Sequence, residues 1–178
     1  SGRRRRTSSD GGVLGVLDRS VPVKGILYLA FALGMVTLFI GVENVTSSRV
    51  AEAVVIMICA LAIFHLNHQQ SARRNGSVLL VFGGILIHLW VVKLACGVAP
   101  GSSLGASYEF LIMPMALAPM VHSVLLGQRA GVYSSVFVSL FGALTVPSED
   151  RWAFFAISLF CGLTAVFATK KVRKRGRL

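Results

Sequence analysis

Six runs of apolar residues, each 17 to 23 long and set apart by short polar or basic gaps, constrain this chain more than any other feature. They occupy 25–42, 50–66, 77–99, 108–127, 130–147 and 152–169. About 20 apolar residues carry a helix across roughly 30 Å of hydrocarbon, and tilt absorbs the differences. A water-soluble domain devotes about 25% of its residues to charge. Here the 178 residues are 14% charged and 54% hydrophobic, with mean hydropathy +0.73, too few charges to clothe a wet surface. The expected fold class is therefore all-α: a polytopic membrane protein with six transmembrane helices.

Charge position sets the orientation. With the N-terminus inside, the inner segments hold Arg3, Arg4, Arg5, Arg6, Arg19, Lys24, Arg73, Arg74, Arg129, Lys170, Lys171, Arg173, Lys174, Arg175 and Arg177. The outer segments hold only Arg49 and Arg151. The positive-inside rule then gives an N-in/C-in topology in a cytoplasmic (inner) membrane. Residues 1–24 read as a basic, disordered cytoplasmic segment, 25–169 as the membrane domain, and 170–178 as a basic cytoplasmic tail. A cleaved secretory signal is the alternative for the first run, but the run is long, starts late and lacks a nearby A-x-A site. The first residue is serine and the chain stops after a basic stretch, which suggests a fragment or processed product.

The net charge of +11 invites a nucleic-acid reading. Four arginines sit at 3–6 and six basic residues at 170–177, with no interleaved aromatic residue on which a base could stack. Anionic lipid headgroups suit these basic ends better, so lipid and not nucleic acid is the expected partner. Cys59, Cys96 and Cys161 each fall inside an apolar run without a C-x-x-C pair, which gives neither a disulfide framework nor a zinc site. No G-x-S-x-G, P-loop or H-E-x-x-H pattern is present, so no metal, cofactor or catalytic residue is expected.

Ionisable groups in hydrocarbon are expensive and normally face the bundle interior or an aqueous cavity. Apart from His65 at the wet inner end of its run, five fall in the runs: Glu52, His88, Lys93, Glu109 and His122. Lys93 and Glu109 lie at similar outer depths on consecutive helices. They fit an ion pair, a snorkelling lysine beside a wet glutamate, or the lining of an outward cavity. Lys93→Met separates the first two, destabilising the fold only if the pair is buried. For His88 and His122, proton relay or metal binding competes with plain hydrogen bonding inside the bundle. Pro114 and Pro119, five apart in one run, bend that helix as a hinge or a fixed kink. Gln128-Arg129 reads as a tight turn. Gly131, Ser135 and Ser139 then recur every four residues, a small-residue face on which helices approach closely.

Residues 50–178 resemble the membrane region of the bacterial seven-transmembrane HD phosphohydrolases. The resemblance runs through HLNHQQSARRNG (65–76) and FLIMPMALAPMVHSVLLGQRAGVYSSVFVSLFGAL (110–144), at Pro114, Ala116, Leu125, Leu126, Ala130 and Ser135. It continues into the basic end at Arg173, Arg175 and Leu178. It implies an N-terminal anchor, a large outer domain, seven helices and a cytoplasmic HD domain that hydrolyses cyclic di-AMP with paired metals. Only 43–49 separate the first two runs here, and neither the last two helices nor the HD domain is present in these 178 residues. The resemblance therefore implies a non-catalytic sensor or coupling module that passes signals to a cytoplasmic output domain. The alternatives are a small transporter lined by Glu52, Lys93, Glu109, His88 and His122, and a structural subunit of a membrane complex.

Overall fold

A computed structural model describes residues 18, 20–39, 47–67, 74–98, 114–146 and 150–175. The described residues form six helices: α1 (Val21–Phe39), α2 (Ser47–Asn67), α3 (Asn75–Val98), α4 (Leu117–Leu125), α5 (Gln128–Thr145) and α6 (Arg151–Arg175). They run alternately up and down. Tyr28 near the start of α1 meets His65 at the end of α2, and Glu52 near the start of α2 meets Arg151 at the start of α6. One end of the bundle, carrying Arg74 and Arg129, is called the basic end below.

Four helices are long and apolar enough to cross a membrane: Val21–Phe39, Ser47–Asn67, Asn75–Ala95 and Arg151–Thr169. The other two fall short for different reasons. α5 is the central helix, with eleven of its 18 residues buried, so it faces protein and can carry serine and glycine. α4 has nine residues, about 13 Å of helix. The fourth apolar run thus yields a short helix preceded by a turn at 114–116; its stretch 108–113 lies outside the described residues.

Several boundaries move. α1 begins at Val21, so 21–24 are helical and belong to the first helix and not to an unstructured leader. α6 continues to Arg175, which makes most of the expected basic tail an extension of the last helix. The turn between α4 and α5 is Leu126-Gly127, with Gly127 at φ 105°, a left-handed conformation that glycine tolerates without a Cβ clash. Gln128 and Arg129 already open α5, and Gly127, being non-helical, does not extend the small-residue repeat.

An aromatic cluster ties α1, α2, α3 and α5 together. Phe31 and Phe82 have ring centroids 4.9 Å apart, Phe64 and Phe82 5.1 Å, and Tyr133 and Phe137 4.7 Å. A smaller cluster of Val92, Met115, Val146 and Phe154 closes the opposite end. Large apolar side chains also point outward, among them Ile26, Leu29 and Leu33 on α1, Val55 and Ile58 on α2, and Phe160 and Phe167 on α6.

α1 is fastened to α3 at both ends. The Asp18 carboxylate accepts the Gly76 N–H at 2.7 Å, satisfying a first-turn amide of α3 from another segment, and Asn75 Nδ2 donates to Ser20 O at 2.8 Å. At the far end Lys93 Nζ donates to Leu38 O at 2.8 Å.

Candidate functional site

The start of α4 lies deep in the bundle, beside the middle of α3. A helix start leaves amides that need partners, and in a buried place an unmet amide costs about 1–3 kcal/mol. Each one here is accounted for. Leu117 N–H donates to Pro114 O at 3.1 Å, Ala118 N–H donates to His88 Nδ1 at 3.2 Å, Pro119 has no N–H, and Met120 N–H reaches Ala116 O at 2.9 Å. Pro119 therefore sits in the first helical turn, where proline is tolerated, and bends no helix interior. Pro114 precedes the turn. Neither proline is a mid-helix hinge. Together they fix where a half-length helix begins.

His122, one turn further along, donates from Nε2 to Leu80 O at 3.0 Å. Its ring lies against Gly84, where a Cβ would collide with it. The Leu80 carbonyl can only accept, so His122 carries its proton on Nε2 and, when neutral, has a bare Nδ1. His88 accepts at Nδ1, which places its proton on Nε2. Both rings are buried, and among the described residues His88 Nε2 and His122 Nδ1 have no partner. The described residues hold no group of three or more His, Cys, Asp or Glu that could bind a metal ion.

Behind α4 the small residues make the contact with α6. A Cβ on Gly131 would lie 2.8 Å from Ser123 Cβ and from Val166 Cγ2, and one on Gly162 would lie 2.8 Å from Ser135 Oγ. Ser135 donates to Gly131 O at 2.9 Å, and Ser139 Oγ lies 3.0 Å from Ser158 Oγ on α6. Ser123 and Thr169 hydroxyls meet at 2.8 Å. Ser135 and Ser139 are fully buried, so Gly131, Ser135 and Ser139 line a polar seam between α4, α5 and α6.

The five ionisable residues do not form one cluster. His88 and His122 lie between α3 and α4. Lys93, half-buried, places its ammonium at the C-terminal carbonyls of α1 and 5.2 Å from the Trp90 ring centroid. Glu52 pairs with Arg151 at 3.2 Å and accepts from Ser48 Oγ at 3.2 Å, beside a cleft of about 220 Å³ lined by Ile56, Leu140 and Phe155. Glu109 lies outside the described residues, as therefore does any pair with Lys93. Glu52 and Lys93 lie toward the same end of the bundle on α2 and α3, His88 and His122 lie deeper, and the cleft beside Glu52 is lined by none of the other three. Sequence reasoning missed Arg151 as a partner for Glu52. The available signal was that Arg151 is one of only two arginines in the outer segments.

A family model described as a 7TM receptor with intracellular HD hydrolase matches residues 44–178. The chain belongs to this family. No curated protein and no solved structure matches it. The matched region is the receptor part of the family's description, not the hydrolase. Membership, together with four span-competent helices, makes this a multi-pass membrane protein. The outward apolar residues of α1, α2 and α6 suit such a protein.

Proposed function

We propose that the chain is a non-catalytic sensor and coupling module of the 7TM receptor family. In this reading six segments of the chain cross a bacterial cytoplasmic membrane with both ends inside, α4 forming only part of the fourth, and a stimulus is passed to a cytoplasmic output domain. Coupling needs an element with two arrangements of similar energy that a stimulus distinguishes. The observation that carries the proposal is α4. It has nine residues against 24 in α3 and 18 in α5, begins mid-bundle, and has its start held to α3 through the Ala118 N–H to His88 Nδ1 bond. The placement of Arg74, Arg129 and the end of α6 at one end of the bundle supports the orientation.

The test is a distance measurement. Spin labels at Met120 on α4 and Val54 on α2, both exposed, go into a chain whose three cysteines are serine, reconstituted in bilayers. His88→Phe keeps a ring of similar bulk and removes the acceptor. It should add a second distance population where the parent shows one. An unchanged distribution in a folded His88→Phe protein defeats the proposal.

Transport is the second reading, because helices that begin near the bilayer midplane also build transporter sites. Substrate uptake into proteoliposomes, lost in His88→Phe, would favour it over signalling.

A further inference from the structure

Between α2 and α5 a groove of about 600 Å³ opens at the basic end of the bundle. That volume lies within the 300–1,000 Å³ usual for ligand sites. Its lining is sorted along its length. Asn67, Gln128 and Arg129 stand at the basic end; beyond them come only Ile63, Val132, Tyr133, Val136 and Phe137. From Arg129 to Phe137 the helix rises about 12 Å, so the apolar part is a trough running into the membrane. The Tyr133 hydroxyl crosses beneath it to donate to Ala60 O at 2.8 Å, leaving the ring as floor. Arg129 is exposed and forms no hydrogen bond or ion pair among the described residues.

We propose that this groove holds one anionic phospholipid, with its phosphate on Arg129 and an acyl chain between Ile63 and Phe137. The charge pattern selects that occupant. A guanidinium fork matches two phosphate oxygens, the carboxamides of Asn67 and Gln128 add N–H donors, and nothing deeper offers a polar group to a peptide backbone. A helix from a second protein would have to leave Arg129 without a counter-charge or bring an acidic residue to it. A lipid brings the charge and the tail in one molecule. The bound lipid fills the gap between α2 and α5 and so fixes how far α2 stands from the bundle.

Purified full-length chain in nanodiscs provides the test, with trace phosphatidylglycerol or phosphatidylcholine bearing a photoreactive group on the acyl chain. Phosphatidylglycerol should label Ile63, Val132 and Val136 about fivefold more than phosphatidylcholine, the change expected for one interfacial cation. Arg129→Gln should erase that preference. Val136→Trp, which fills the trough and leaves Arg129 in place, should abolish labelling by both lipids. Excess inorganic phosphate should not compete, because it lacks the tail; competition would assign the site to free phosphate and overturn the proposal. Labelling indifferent to headgroup, or a preference that survives Arg129→Gln, would overturn it too. So would a loss of labelling traced to cross-linked pairs of chains through the groove.

Discussion

The α4–α5–α6 side and the α1–α2 side of this bundle are built by different means. On the first, Gly131 and Gly162 leave no room for a Cβ, and serines bridge the helices. On the second, a Cβ on Gly25 would meet nothing within 4 Å, and large apolar residues face outward. α2 is inside the bundle over only 11% of its apolar window, and α1 over 17%. In water the greasier pair would be the better buried. In a bilayer lipid solvates leucine as well as another helix does, so apolar surface alone does not bind helices together. Close backbone approach and a few hydrogen bonds do. The composition of each side thus reports how tightly it is held.

The largest expected effect breaks this comparison directly. Gly131→Leu should destabilise the fold by about 3 kcal/mol, because Ser123, Val166 and the Pro119 backbone would all have to move. Gly25→Leu, on the open side, should change stability by no more than about 0.5 kcal/mol. Reversible unfolding in mixed micelles measures both. Similar values for the two would mean that the sides do not differ in packing as argued.

Next comes Lys93→Met, at about 1 kcal/mol by the same measurement. The ammonium donates to the carbonyls of Leu38 and Thr37, the negative end of α1. A cation there is worth typically 0.3–1 kcal/mol and more when partly buried. Glu109→Gln in the same background separates this from an ion pair. If Lys93→Met costs nothing once Glu109 is already neutral, the carboxylate and not the helix end holds the lysine. Tyr133→Phe should cost less, about 0.6 kcal/mol, since it removes one interhelical hydrogen bond to Ala60 O.

What the sequence made legible follows from what is one-dimensional. Gly131, Ser135 and Ser139 repeat with the helix period, so their shared face is written in the chain itself. Apolar runs likewise locate most helix ends to within a few residues, but the run at 108–127 yields only Leu117–Leu125 among the described residues, and α6 runs on past its apolar stretch to Arg175. Prolines are ambiguous, because Pro119 could bend a helix or sit in its first turn, and only the buried start of α4 decides. The partners of the polar residues were hidden for a plainer reason. His88 bonds a backbone amide, His122 and Lys93 bond backbone carbonyls, and every residue has those groups. Glu52 and Arg151 are 99 residues apart, and nothing local links them.

That ion pair supplies the smallest expected effect and the sharpest probe of the looser side. It is the described charged contact that joins α2 to α6. Glu52 is 44% exposed and Arg151 23%, so solvent screening leaves the pair worth about 0–1 kcal/mol. Glu52→Gln should cost less than about 0.5 kcal/mol, since the amide oxygen still accepts from Ser48. At 1 M salt, where the screening length is about 3 Å, parent and variant should become equally stable. A salt-insensitive loss of 2 kcal/mol or more would place the pair in a dry environment. α2 would then be pinned to α6 as firmly as serines join α5 to α6, and the contrast between the two sides would fail at this end of the bundle.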